Sequence, residues 1–396
     1  MARPVGASPP PSAGDLSAAT LGDVRTRAVS LMATLVLVGC TAGTPIASPT
    51  PPRTHSPTPS ASATPRPTPP APVARQAVFA ADAALWLYDV KTNIVTQLAT
   101  GSALRQPRWV SKTKVSFLQD AGTQTAIQMI DLTTRQVTDV ATVRDGINVY
   151  AWSPDRETIA YLSTDPSAYP HLVYLSAAGD SVRQPVATLA RALGRGSDIS
   201  DQSVIRFSPD GAAVLVVYTP ADGDPAHPVN REQGQFQVRG LDGSLQFWSD
   251  QTGEPTMGVW SGDGRRVYFR TKQGVRLWKV GASRSVSVRG IPAWFDPWAS
   301  PDGRFVAFDT GARSTAVVVR SFDLRTGARK DVSPAGFFHP VVADAHTVWA
   351  QRVTPCDPGC IEPVQPGPEV FAFDTVTKAS RKLTLTSLLD LDVRYE

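Results

Sequence analysis

The chain has 396 residues, 42% hydrophobic and 19% charged, which is enough apolar surface to bury a large core. Its formal net charge of +4 is not gathered into a basic stripe, which argues against a nucleic-acid binder. The 35 prolines exceed what one globular domain uses, and they concentrate near the N-terminus.

Taken in order, Arg25 and Arg27 precede a run of 12 uncharged, mostly apolar residues, Ala28 to Gly39. That run is short for a bilayer span and matches the apolar region of a secretory signal. It ends Leu37-Val38-Gly39-Cys40, which resembles the bacterial lipobox. The resemblance implies that residues 1–39 are a lipoprotein signal peptide and that Cys40 is lipidated and becomes the mature N-terminus. The protein is then expected on the outer face of the cytoplasmic membrane, held there by the lipid anchor alone. Residues 41–75 contain eleven Pro and eleven Ser/Thr. Such a segment cannot bury enough apolar surface to offset its ordering entropy, so 40–75 reads as a disordered tether.

From Gln76 to the end the chain repeats. The centre of the repeat is Ile205 to Tyr218, two apolar runs flanking Ser208-Pro209-Asp210-Gly211, which reads as strand, tight turn, strand. The first strand residues after successive turns are Val115, Ile159, Val214, Val267, Val306 and Val348, spaced 44, 55, 53, 39 and 42 apart. These are the periods of propeller blades. Good turns stand at Ser153-Pro154-Asp155, Ser261-Gly262-Asp263-Gly264 and Ser300-Pro301-Asp302-Gly303, and decayed ones at Ser111-Lys112-Thr113 and Ala343-Asp344-Ala345.

A second hairpin follows each first one, its inner strand at 85–89, 127–131, 172–175, 236–239, 275–278, 317–320 and 370–374. No segment carries a long amphipathic helix, so residues 76–396 are expected to be all-β. Six first hairpins and seven second ones leave blade one a strand short, and Leu389 to Tyr395 alternates like a strand with no partner. The expected fold is therefore a seven-bladed β-propeller of four-stranded antiparallel blades, its C-terminal strand closing blade one.

The units Phe207 to Gly211, Trp260 to Gly264 and Ser300 to Gly303 resemble WD40-like repeats of the TolB type. That resemblance implies the propeller and leaves the ligand open. TolB carries an α/β domain ahead of its propeller, which the proline-rich stretch cannot supply. Peptidases of the prolyl oligopeptidase type add a hydrolase domain with a Gly-x-Ser-x-Gly elbow, and that motif is absent from this chain.

Strand parity places the short turns on one face and the long connections, about 192–202, 219–234 and 353–368, on the other. Long loops on a rigid scaffold are where binding resides, so that second face is the expected working surface. Its candidate residues are Arg191, Arg195, His227 and Arg231, with Trp294, Phe295, Phe338 and His339 from the connections entering blades six and seven. Packing between blades competes with exposure for these aromatics, and plain solvated loop competes with binding for the charged residues. Cys356-Asp357-Pro358-Gly359-Cys360 reads as a disulfide across a tight loop.

No catalytic residue, metal set or cofactor is legible. The histidines occupy non-equivalent repeat positions, and the turn carboxylates Asp155, Asp210, Asp263 and Asp302 read as structural. The expected function is a non-catalytic, lipid-anchored platform in the cell envelope, binding a protein or a glycan partner. The rival is an extracytoplasmic hydrolase or lyase using the central channel. Three or more His, Asp or Glu side chains converging within about 5 Å at the channel mouth on the long-loop face would decide for the enzyme.

Overall fold

The computed structural model describes residues 72–396 except 145, 164–170, 177–186, 189–203, 219–234, 250–257, 272, 292–293, 312–314 and 356–363. These described residues lie in the compact unit Pro67–Glu396. The signal peptide, nearly all of the tether, Cys40, Cys356, Cys360, Arg191, Arg195, His227 and Arg231 fall outside them.

The described residues form strands and no helix, in seven four-stranded antiparallel sheets. Blade one holds β1 (Ala74–Ala81), β2 (Ala84–Asp89) and β3 (Ile94–Thr100). Blade two is β4 (Leu104–Trp109), β5 (Lys114–Ala121), β6 (Gln124–Asp131) and β7 (Val137–Val143). Blade three is β8 (Ile147–Trp152), β9 (Thr158–Ser163), β10 (His171–Ser176) and β11 (Ala187–Thr188). Blade four is β12 (Val204–Phe207), β13 (Ala213–Tyr218), β14 (Gln235–Gly240) and β15 (Leu245–Trp248). Blade five is β16 (Gly258–Trp260), β17 (Arg266–Thr271), β18 (Gly274–Lys279) and β19 (Val286–Ser287). Blade six is β20 (Phe295–Ala299), β21 (Phe305–Asp309), β22 (Val319–Asp323) and β23 (Arg329–Asp331). Blade seven is β24 (Phe337–Val342), β25 (Thr347–Pro355), β26 (Val364–Asp374) and β27 (Ser380–Lys382).

The last strand, β28 (Leu391–Tyr395), pairs antiparallel with β1, with Ala77 opposite Val393. Blade one is thus completed from the C-terminal end, as the strand count requires. Closure is also visible in the core. Seven buried apolar clusters each join two neighbouring blades, including Phe79, Tyr88 and Leu391 of blade one with Trp349 and Val370 of blade seven. Each blade packs both of its faces against its neighbours, so its middle strands are apolar on both sides, as in Val306 to Phe308 of β21, while outermost strands such as β23 and β27 are exposed and polar.

The repeat turns explain their own spelling. The Ser208 hydroxyl donates to Asp210 Oδ1 (2.6 Å) and accepts from the Ala213 N–H (3.0 Å), while Gly211 takes a φ of 72°. Ser300 and Asp302 repeat the pattern at 2.6 Å, with the Phe305 N–H on the serine oxygen. Serine, aspartate and glycine are therefore turn chemistry, as expected for Asp155, Asp210, Asp263 and Asp302. The outer turns use a second device: Asp131 accepts the N–H groups of Thr133 and Thr134, and Asp323 and Asp374 do the same for their own following residues.

Two expectations shift. The inner strand expected from Val317 starts at Val319, because the Val317 carbonyl accepts the Gly336 N–H from the connection ahead of blade seven. Much of the expected loop 353–368 is strand: Val353, Thr354 and Pro355 pair with Pro366, Gln365 and Val364 after a register shift, so this hairpin runs on past the body of the blade.

Candidate functional site

Seven blades in a ring leave a central channel lined by the innermost strands. Each innermost strand starts on the face of the long connections and runs toward the short turns. At the start of four of them the ladder shifts register: between Arg105 and Arg108, between Ile147 and Val149, between Phe295 and Trp298, and between Phe338 and Val341. In the first, third and fourth the inserted pair opens on Gln106, Asp296 and His339, with φ of 51°, 45° and 48°, and each is followed by proline. Proline cannot donate to a ladder and is tolerated at such breaks. The break frees these side chains from the ladder's alternation: Gln106 donates to the Asn148 carbonyl of blade three at 2.7 Å, and Asp296 and His339 turn toward each other. Asp390, just ahead of β28, has the same left-handed conformation, with φ of 51°.

Two of these residues meet a third. His339 Nδ1 pairs with Asp296 Oδ2 between blades seven and six. Asp309, the last residue of β21, lies behind them and is 3% exposed. Its Oδ1 accepts the Gly311 N–H at 2.7 Å, and its Oδ2 faces the His339 N–H at 3.4 Å. One donor atom from each of Asp296, Asp309 and His339 lies within 4.8 Å of the others. Burial, reinforced by the Asp296 charge, pushes the Asp309 carboxyl up to about 6. For His339 burial works the other way, but the Asp296 hydrogen bond and the charges of Asp296 and Asp309 outweigh it and raise the imidazole pKa. The result is an acid–base cluster in which a buried carboxyl and an imidazole share one pocket of the mouth.

Apolar contacts brace it. The Phe338 and His339 rings lie 4.1 Å apart. Phe295 lies beneath the Arg270 guanidinium, 3.8 Å from the ring centre. It packs so closely on Gly311 that a Cβ there would fall 1.6 Å from the ring. Gly311 also takes a φ of 61°, so the residue that holds Asp309 has two reasons to be glycine.

Other charges line the channel. Arg206 on β12 feels Arg108 on β4 and Asp296 on β20; burial and Arg108 together lower it to about 10 despite Asp296. On the opposite wall the Asp390 carboxylate accepts the Gln106 N–H, and Asp392 accepts the Trp109 N–H at 2.8 Å. These two carboxylates stitch the closing strand to blade two.

Of the residues expected on this face, Phe295, Phe338 and His339 are half-buried at the mouth. Trp294 is not on the surface: it is 0% exposed and packs between blades five and six against Tyr268 and Phe308. Inter-blade packing therefore won for that ring. Asp296, Asp309 and Gln106 were not legible as site residues, nor was His339 as a member of a cluster. A usable signal was present in the recurring X-Pro pair, Gln106-Pro107, Asp296-Pro297 and His339-Pro340, three residues before the end of the innermost strand. No histidine and carboxylate set could be read from the sequence, and Asp296, Asp309 and His339 come together only in the fold.

Among the described residues no helix is long and apolar enough to cross a membrane. No family model and no curated protein matches the chain. Solved structures do share its fold. The chain is similar to an oligogalacturonate lyase from Vibrio parahaemolyticus, at 14% identity over 75% of this chain and 83% of that one, with a TM-score of 0.54. It is similar to an oligogalacturonate lyase in complex with manganese, at 14% identity, 79% and 84% coverage and a TM-score of 0.51. It is also similar to TolB from Acinetobacter baumannii, at 17% identity, 77% and 78% coverage and a TM-score of 0.45.

Proposed function

We propose that the protein is an exported, lipid-anchored β-propeller of the bacterial cell envelope whose working site is the channel mouth on the long-connection face. A rigid ring presenting loops and bulged side chains on one face is suited to binding. The convergence of Asp296, Asp309 and His339 within 4.8 Å carries the reading one step further. It meets the condition set for an enzyme, so at this site hydrolase or lyase chemistry on an extracellular sugar, lactone or ester takes precedence over a passive platform. His339, engaged through Nδ1 by Asp296, is the proton-transfer group, since a carboxylate on one ring nitrogen orients the imidazole and raises its basicity. In a propeller of this fold, an oligogalacturonate lyase is known in complex with manganese.

Two variants test the two halves. Full-length protein in detergent, assayed against acidic oligosaccharides, lactones and aryl esters, is expected to turn over one class, and His339→Ala to lower that rate by about 100-fold or more. No turnover of any class, or an unaffected variant, sinks the catalytic reading. Cys40→Ser is expected to leave the membrane fraction, and retention of the variant there at full precursor mass contradicts the anchor.

A platform for a protein partner is the second reading, and a separate observation favours it. Leu245, Trp248 and Val286, on the outer strands of blades four and five, are 50%, 46% and 56% exposed, and aromatic and aliphatic side chains on a rim suit protein contact. Trp248→Ala is expected to abolish a stable envelope complex under this reading and to leave turnover intact under the first.

A further inference from the structure

We propose that Asp296, Asp309 and His339 form a site for a divalent cation of the manganese or zinc kind, seated between blades six and seven at the channel mouth. The proposal rests on the channel mouth being the working site. The two states are alternatives: without an ion His339 pairs with Asp296 and moves protons, and with an ion bound His339 and Asp296 are its ligands.

The donor set comes first. Two carboxylate oxygens and one imidazole nitrogen, all within 4.8 Å of one another, suit manganese, zinc or iron rather than calcium, which takes six to eight oxygens. Three protein donors also leave coordination positions open toward the channel, as catalytic rather than structural sites do. Asp296 and His339 approach from the innermost strands of adjacent blades, and Asp309 from behind on β21. The donors therefore converge from three strands of a rigid ring.

A second observation comes from Asp309 by itself. A carboxylate that is 3% exposed has left water and requires a cation or a full set of donors. Its Oδ1 has the Gly311 N–H at 2.7 Å, but the Oδ2 contact with the His339 N–H is 3.4 Å, long for a hydrogen bond. Asp309 still offers an oxygen within 4.8 Å of donor atoms of both Asp296 and His339. Its positive neighbour is His339, which is already engaged by Asp296. One doubly charged ion would answer both carboxylates at once.

The supports expected around a metal ligand are also present. The Gly311 N–H holds the far oxygen of Asp309, and the Phe338 ring fixes the imidazole plane from 4.1 Å.

Mn²⁺ titration of the full-length protein in detergent at neutral pH, followed by the electron paramagnetic resonance of free Mn²⁺, tests the assignment. One ion per chain is expected, with affinity weakened at least about tenfold in Asp309→Asn and His339→Gln. The affinity should be unchanged in His346→Gln, an exposed histidine in the short turn between β24 and β25 on the opposite face. Should Asp309→Asn fail to fold, the half-buried His339→Gln decides. No binding of Mn²⁺ or competing Zn²⁺ at millimolar concentration overturns the proposal, as does equal loss in the His339 and His346 variants. The turnover assay separates this result from the functional reading. Ion binding without turnover keeps the cation site and removes the enzyme, and turnover that survives chelation does the reverse.

Discussion

At the scale of single residues, the four Ser-x-Asp repeat turns are built to a rule, and one of them departs from it at its last position. Gly211, Gly264 and Gly303 hold φ of 72°, 66° and 65°, and the equivalent position in blade three is Arg156, at 66°. A side chain in the left-handed region costs about 1–2 kcal/mol, part of which glycine gives back through about 0.5–1 kcal/mol of extra backbone entropy on unfolding. Arg156→Gly is therefore expected to stabilise the domain by about 0.5–1 kcal/mol in urea denaturation. A loss of stability would show that the Arg156 side chain makes a contact worth more than the strain. The same scale shows what was legible in the residues. Turn aspartates could be read as structural because serine, proline and glycine surround them in the chain. Asp296, Asp309 and His339 could not be read as one site, because the contact among them exists only across a blade interface.

At the scale of the element, the short turns of blades four, five and six each touch the turn of the blade before. A Cβ on Gly211 would meet Pro154, and one on Gly264 would meet Pro209, each at 3.5 Å. Between blades five and six the approach is closer: a Cβ on Gly303 would fall 2.4 Å from Gly262, and one on Gly262 would fall 2.6 Å from the Cα of Gly303. This accounts for glycine at 262 where three other repeats carry proline. Gly262→Pro, which restores the commoner turn residue, is expected to destabilise by about 1–3 kcal/mol through overpacking. A neutral or stabilising result in a thermal melt would mean that the two turns can separate freely. Element identity was legible wherever the turn signal was strong. The bulges at Gln106, Asp296 and His339 were not, since period-2 alternation says nothing of one inserted residue. The hairpin of β25 and β26 was hidden for a related reason. Its prolines read as loop, yet Pro355 and Pro366 sit beyond a register shift, where the ladder is already irregular.

At the scale of the molecule, ring closure holds the channel mouth in place. Asp296 and Asp309 belong to blade six and His339 to blade seven, so the site is the alignment of two blades. That alignment is set by the circle of seven inter-blade clusters. β28 completes the circle twice over. It supplies the inner strand of blade one, and Asp390 and Asp392 accept N–H groups of β4 in blade two. The closing strand was legible by counting, because one blade lacked a strand and one strand lacked a blade. The composition of the channel was not, because residues from seven separate repeats meet there. The direct measurement is thermal unfolding of the protein ended after Leu388, compared with the full chain. Without the closing strand, the cooperative transition should be lost or fall by more than about 10 °C, several kcal/mol for a domain of this size. A transition unchanged in temperature and sharpness would contradict closure by β28, and with it the means by which the channel mouth is held together.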